Sequence, residues 1–303
     1  MTGESAGEGT GLACTGKEAA VTVAHMPVRS GGITLHRGFL GKEEHFMQEY
    51  RLKNIQASLR YHDLPGEDTP IVFIHGLGCA GSLDYPQVAA QPELAGHRRI
   101  MLDMLGAGYS DKPEDFSYTV SGHAEYLAEW VDAIGLKEFI LFGHSLGGAV
   151  ALALAEKRRD RISRLILSEA NLDAGGGFAS RAIASYSEQD FAEHGLADYT
   201  SRQRQEGNTN WAASLSLWSP LAAHRLSKSA IAGQTPAWRE ILYSLTCPRT
   251  FIFGERSLPD PDAQALADQG VHIGIVERAG HSMAWENPAG LAAAIKNGIV
   301  HNV

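Results

Sequence analysis

The segment Gly143-His144-Ser145-Leu146-Gly147-Gly148 sets a serine among small residues where the apolar run 139–142 gives way to the Ala-rich stretch 149–156. A G-x-S-x-G sequence at such a strand-to-helix joint is a nucleophile elbow. The small residues two before and two after the serine let the chain turn sharply and hold Ser145 Oγ above the sheet. A serine hydroxyl attacks a carbonyl only weakly until neutral imidazole takes its proton, and a carboxylate must then steady the imidazolium and fix its tautomer. One strand earlier, His75-Gly76-Leu77-Gly78 follows the run 71–74. A glycine-containing turn there can aim a backbone N–H at the anionic oxygen of a tetrahedral intermediate. The N–H groups of Leu77 and Leu146 are the expected oxyanion hole. His75 reads as a structural hydrogen-bonding residue.

The elements that must carry these residues are visible as short, nearly continuous apolar runs at 71–74, 99–102, 139–142, 165–167 and 250–253. Such runs are strands buried on both faces. Before them, β-rich alternation at 46–52 and 55–61 suggests two further strands, with Pro65-Gly66 as a turn. Tyr126, Leu127, Trp130, Val131 and Ile134 fall at helical spacing ahead of Gly135, which predicts an amphipathic helix over 124–134. Strands alternating with helices predict an α/β fold with a mainly parallel, doubly wound sheet.

With these motifs in this order, the chain resembles the α/β-hydrolase superfamily over nearly all its length after an N-terminal arm. A third motif strengthens the likeness: the segment from Asp103 to Pro113 resembles the family loop D-x-x-G-x-G-x-S-x-x-P, in which Asp103 shapes turns. The resemblance implies a triad ordered Ser, acid, His. Among the 13 histidines it selects His281, which follows Gly280 and the run 271–276 and precedes Glu286-Asn287-Pro288, the family's G-H-x-x-x-x-E-x-P setting. Many members place the acid as Asp in G-x-x-D after the later strand. Here Gly254-Glu255-Arg256-Ser257 puts a serine in that place. Glu169, after the run 165–167, stands at the earlier strand end that supplies the acid in some haloalkane dehalogenases and in fungal zearalenone lactonases, which this chain resembles around Glu169 and over 271–281. Glu169 is the first choice, with Asp260 or Asp262 as the alternative acid and Asp173 a more distant one.

The resemblance also divides the chain into an arm over 1–25, an α/β-hydrolase core over 26–172 and 246–303, and an inserted helical cap over 173–245. The cap stretch is too long for an ordinary loop. Helix starts are expected at Ser187-Glu188-Gln189-Asp190, around Trp211 and at Pro220. Trp211, Leu215 and Trp218, at helical spacing, are candidates to line a substrate pocket or to glue cap to core.

In the resembling families, dehalogenases and epoxide hydrolases use an aspartate at the elbow, and dehalogenases hold a halide with a tryptophan where this chain has Leu146. Serine chemistry leaves acyl transfer to water, on a carboxylic ester or lactone first and on a C–C bond of the meta-cleavage type second. A different class is a non-hydrolytic member: a hydroxynitrile lyase, a cofactor-free oxygenase or a ligand receptor.

The serine chemistry and the resemblance imply a small acyl-bearing substrate as partner, and composition argues against other partners. The formal charge is −9, from 26 basic and 35 acidic residues, which opposes an electrostatic grip on nucleic acid or an anionic membrane. No run of about 18 apolar residues is present to span a bilayer. Cys14, Cys79 and Cys247 are too few and scattered for a disulfide framework or a zinc cluster, so free thiols and a cytoplasmic setting are expected. Neither a metal-binding cluster nor a dinucleotide fingerprint appears, and no cofactor is expected.

Overall fold

The computed structural model describes residues 47–301; the arm expected over 1–25, Cys14, the core segment 26–46 and the strand start at Phe46 lie outside the described residues. Eight strands form one sheet: β1 Met47–Arg51, β2 Ser58–Leu64, β3 Asp68–Ile74, β4 His97–Asp103, β5 Phe139–His144, β6 Ile162–Ser168, β7 Arg249–Gly254 and β8 His272–Val276. Their spatial order is β1-β2-β4-β3-β5-β6-β7-β8, antiparallel at β1/β2 and β2/β4 and parallel from there on. The two antiparallel strands are partly exposed, the parallel strands β3 to β7 are the buried runs, and the parallel edge strand β8 stays partly exposed. This is the difference that covering one face or both imposes on sequence.

Period-two alternation splits each central strand between two cores. Val72 and Ile74 of β3 join Leu141, Leu165, Trp130 and Leu152 on one face, while Ile71 and Phe73 join Phe142, Ile166, Leu291 and Ile295 on the other. Burying each such side chain stabilises the fold by about 1.5–3 kcal/mol relative to exposure, so a one-residue slip of any strand is costly. The helix Val120–Ala133 covers the first face; it starts ahead of the apolar pattern because Thr119 caps it, accepting a hydrogen bond from the Gly122 N–H. Gly135, with φ +75°, ends it.

The sheet order reverses direction between β3 and β5. Ligands of open α/β sheets bind beyond the carboxyl ends of the strands at such a switch point. Here those ends lead directly into the 75–79 turn and the Ser145 elbow.

Between β6 and β7 the chain forms helices over Phe178–Ala184, Glu188–Asp190, Leu196–Gln205, Thr209–Leu215, Pro220–Ala232 and Trp238–Ser244, with a π turn at Phe191–Gly195. Ser187 and Ser219 cap two of them through their hydroxyls, and Pro220 occupies the first turn, where its missing N–H costs nothing. Among the described residues, no helix is long and apolar enough to cross a membrane.

Candidate active site

Ser145 sits at φ 52° and ψ −127°, a strained backbone state for a residue with a side chain. The surroundings enforce it. A Cβ on Gly143 would lie 2.7 Å from the Ala151 Cβ, and one on Gly147 would lie 2.1 Å from the His75 carbonyl oxygen, so only glycine permits the helix Leu146–Lys157 to leave β5 this tightly. The Ser145 N–H donates to the Ser168 carbonyl at 2.9 Å, which ties the elbow to the end of β6.

At that same end stands Glu169, also in the left-handed region with φ 40°. Its N–H donates to the Ile252 carbonyl at 3.0 Å. The turn carries its carboxylate across the end of β7, where the Gly254 N–H donates to Oε1 at 2.8 Å and the Ser257 hydroxyl donates as well. The other oxygen, Oε2, accepts from His281 Nδ1 at 2.6 Å, and His281 Nε2 lies 3.0 Å from Ser145 Oγ. Burial would raise the Glu169 carboxyl, but the donors from His281, Ser257 and Gly254 outweigh it and hold the group at about 2. An anion at neutral pH is thus fixed against Nδ1, so that Nε2 presents its lone pair to the serine.

The His281 loop is pinned to the β7 end: the Arg256 N–H donates to the Ala279 carbonyl at 2.9 Å, and Glu286 accepts from the Gly280 N–H at 2.6 Å. The Glu of the G-H-x-x-x-x-E-x-P pattern therefore holds the histidine loop. The other carboxylates considered from sequence are engaged elsewhere. Asp260 Oδ1 accepts from the Asp262 N–H at 2.8 Å and caps the helix Pro261–Asp268, while Asp262 and Asp173 both pair with Arg239.

His75 Nε2 accepts from the Met104 N–H at 2.9 Å, and Asp103 accepts from the N–H and hydroxyl of Ser82 and from the Tyr109 N–H. Both brace the loops after β3 and β4. The N–H groups of Leu77 and Leu146 donate to no protein acceptor among the described residues. Leu146 opens its helix, where the first N–H groups lack intrahelical partners. Cys79 and Cys247 are free thiols, as expected, and burial pushes both up, which disfavours the thiolate.

A cavity of about 500 Å³ is lined by Ser145, Leu146 and His281 together with Trp211 and Tyr199. Trp211 lines it and donates from Nε1 to the Leu77 carbonyl at 2.9 Å. Leu215 and Trp218 do not border it, contrary to the pocket reading of their spacing. Both are buried, and the Trp218 Nε1–H reaches the Cys79 carbonyl at 2.8 Å. Helical spacing identified one buried face, and the 75–79 turn binds both tryptophans of that face. Sequence reasoning missed the wall residues Asn171, Phe178, Tyr199 and Gln203. The one sequence signal near them was the Gly175-Gly176-Gly177 run, a turn marker directly before Phe178, which is 77% exposed.

This arrangement can take a proton from Ser145, hold it on His281 and present two N–H groups to a developing oxyanion. A profile of the α/β-hydrolase fold family matches residues 69–230. The chain belongs to the α/β-hydrolase family. Among curated relatives it is 37% identical over 116 residues to 2-hydroxymuconate semialdehyde hydrolase of Pseudomonas sp. (strain CF600), an alignment covering 37% of this chain and 41% of the relative. The matched part thus spans about two fifths of such relatives' length. Among solved structures, a thermophilic esterase from Thermogutta terrifontis superposes with a TM-score of 0.69 at 21% identity, over 83% of this chain and 98% of that one. The enol-lactonase from Burkholderia xenovorans LB400 gives 0.67 at 20% identity, over 84% and 100%. These two likenesses are of fold. As an α/β-hydrolase, the chain keeps a serine at the elbow, a histidine after β8 and a carboxylate after β6.

Proposed function

We propose that this α/β-hydrolase is a serine hydrolase that cleaves a carboxylic ester or lactone through an acyl-enzyme on Ser145. The observation that carries the reading is the continuous contact from Ser145 Oγ through His281 to Glu169, at 3.0 and 2.6 Å. His281 acts as general base and then general acid, Glu169 orients it, and the N–H groups of Leu77 and Leu146 stabilise the oxyanion. Each such donor is worth about 3–4 kcal/mol in the transition state by mutational precedent. The helices over 173–245 serve as the cap, bounding the acyl cavity through Trp211 and Tyr199.

The ester or lactone reading is supported by the lining of that cavity, whose ionic side chains among the described residues are Glu169 and His281 themselves. A neutral substrate suits such walls. The second reading, hydrolysis of a C–C bond beside a carbonyl, uses the same triad and is favoured by the sequence match to the semialdehyde hydrolase. The test is release of p-nitrophenol from short acyl esters and ring opening of lactones, with Ser145→Ala as the blank. Ser145→Ala should lower kcat by about 10⁵–10⁶-fold and abolish labelling by a fluorophosphonate. Mutant activity within tenfold of the parent would overturn the nucleophile, and turnover confined to vinylogous diketones would favour C–C hydrolysis.

A further inference from the structure

A second cavity, of about 40 Å³, shares Ser145, His281, Leu77 and Trp211 with the large one, but His144, Asp84, Ala284 and Trp285 line only the small one. Its size suits one or two waters and no acyl group. Among mostly apolar walls it brings together the polar groups of His144, Asp84, Ser145 and His281. Asp84 is buried, accepts from the Trp285 Nε1–H and the Ala80 N–H at 2.8 Å each, and keeps further lone pairs. His144 Nδ1 lies 3.1 Å from the Ser168 carbonyl oxygen and 2.9 Å from its hydroxyl. A carbonyl can only accept, so Nδ1 carries the proton and Nε2 a lone pair, which has no partner among the described residues. Burial and the nearby His281 lower His144 to about 3, so it stays neutral and serves as an acceptor rather than a base. The rings of His144 and His281 stand 4.8 Å apart between centroids.

We propose that this small cavity holds the water that hydrolyses the acyl-enzyme, with His144 as its positioning residue. The inference rests on the serine-hydrolase reading above. Two hydrogens of one water would then meet two acceptors, His281 Nε2 and His144 Nε2, which turns the oxygen lone pair toward the acyl carbon on Ser145. That oxygen forms the new C–O bond as its proton passes to His281. Collapse of the tetrahedral oxyanion breaks the bond to Ser145 Oγ, which recovers the proton from His281 as the free acid leaves. The acyl group occupies the large cavity meanwhile, so water need not pass it.

Two variants test the site by rapid mixing with p-nitrophenyl acetate. His144→Asn keeps a donor where Nδ1 stands and removes the Nε2 lone pair. Ala284→Val narrows the cavity without touching the elbow. Both should slow deacylation about 10- to 100-fold, the scale on which misplacing a reactant matters. A burst approaching one nitrophenolate per enzyme should precede the slow phase, and kcat and KM should fall together, leaving kcat/KM within twofold of the parent. A merely structural role would lower kcat/KM with kcat and give no burst; that result, or unchanged steady-state rates in both variants, would overturn the proposal while the parent's turnover upheld the triad. A parent that neither releases nitrophenolate nor is labelled at Ser145 would instead overturn the serine-hydrolase reading, and the water site with it.

Discussion

The ends of β6 and β7 lie side by side and have opposite chemistry. β6 ends in one carboxylate, Glu169, turned into the site on a left-handed backbone and met by three donors. Just beyond β7 the chain carries Glu255, Asp260 and Asp262, and each serves local structure: Glu255 accepts from the Arg278 N–H at 2.7 Å, Asp260 caps a helix and Asp262 pairs with Arg239. What β7 gives the site is two donors, the Gly254 N–H and the Ser257 hydroxyl. A strand-end site needs one desolvated anion with donors around it. When the anion comes from one strand, its neighbour must not supply a second, because adjacent like charges raise each other's pKa. Serine at 257 fits that requirement.

The contrast breaks most readily at its centre. Glu169→Gln should lower kcat by about 10³–10⁴-fold, since the imidazole loses both its tautomer lock and its counter-charge. Asp260→Asn and Asp262→Asn should stay within about twofold, as expected for surface carboxylates. The comparison collapses if p-nitrophenyl ester kinetics show the reverse order.

A smaller effect sharpens the role of β7. Ser257→Ala removes one hydrogen bond to a carboxylate, which is worth about 1.5 kcal/mol or roughly tenfold in kcat at most. Ser257→Asp should be worse than alanine despite restoring the more common family residue, because the new carboxylate would face Glu169. An aspartate variant more active than the alanine one would show that the two strand ends are interchangeable in this chain.

The smallest effect is on stability. The fold holds Glu169 at about 2, below the 4.5 of a free glutamate. A depressed carboxyl stabilises the fold in full above its unfolded value, and that contribution disappears as pH falls through the folded one. Thermal unfolding of the parent and of Glu169→Gln should therefore show a difference in Tm that narrows from about pH 4.5 to about pH 2, the window between those two values. A difference independent of pH would mean that the Glu169 carboxylate is not held by its donors.

Much of this protein was decided locally and could be read from the chain. Apolar runs announce buried strands, because a strand covered on both faces has no solvent side to keep polar. The elbow is legible because Gly143 and Gly147 answer steric demands within a few residues of Ser145, whatever the remainder of the chain does. Thr119 and Ser187 cap helices through contacts three residues away. What needed the tertiary structure was every choice among equivalents. Glu169, Asp173, Asp260 and Asp262 are alike as residue types, and which one meets His281 depends on β6 lying beside β7 in parallel register. The helical face of Trp211, Leu215 and Trp218 was plain, but its division between cavity and core follows from where the 75–79 turn lies beneath it. Both cavities, and the place of His144 in the wall of the smaller one, arise from segments far apart in sequence, and local periodicity carries no record of such distant contacts.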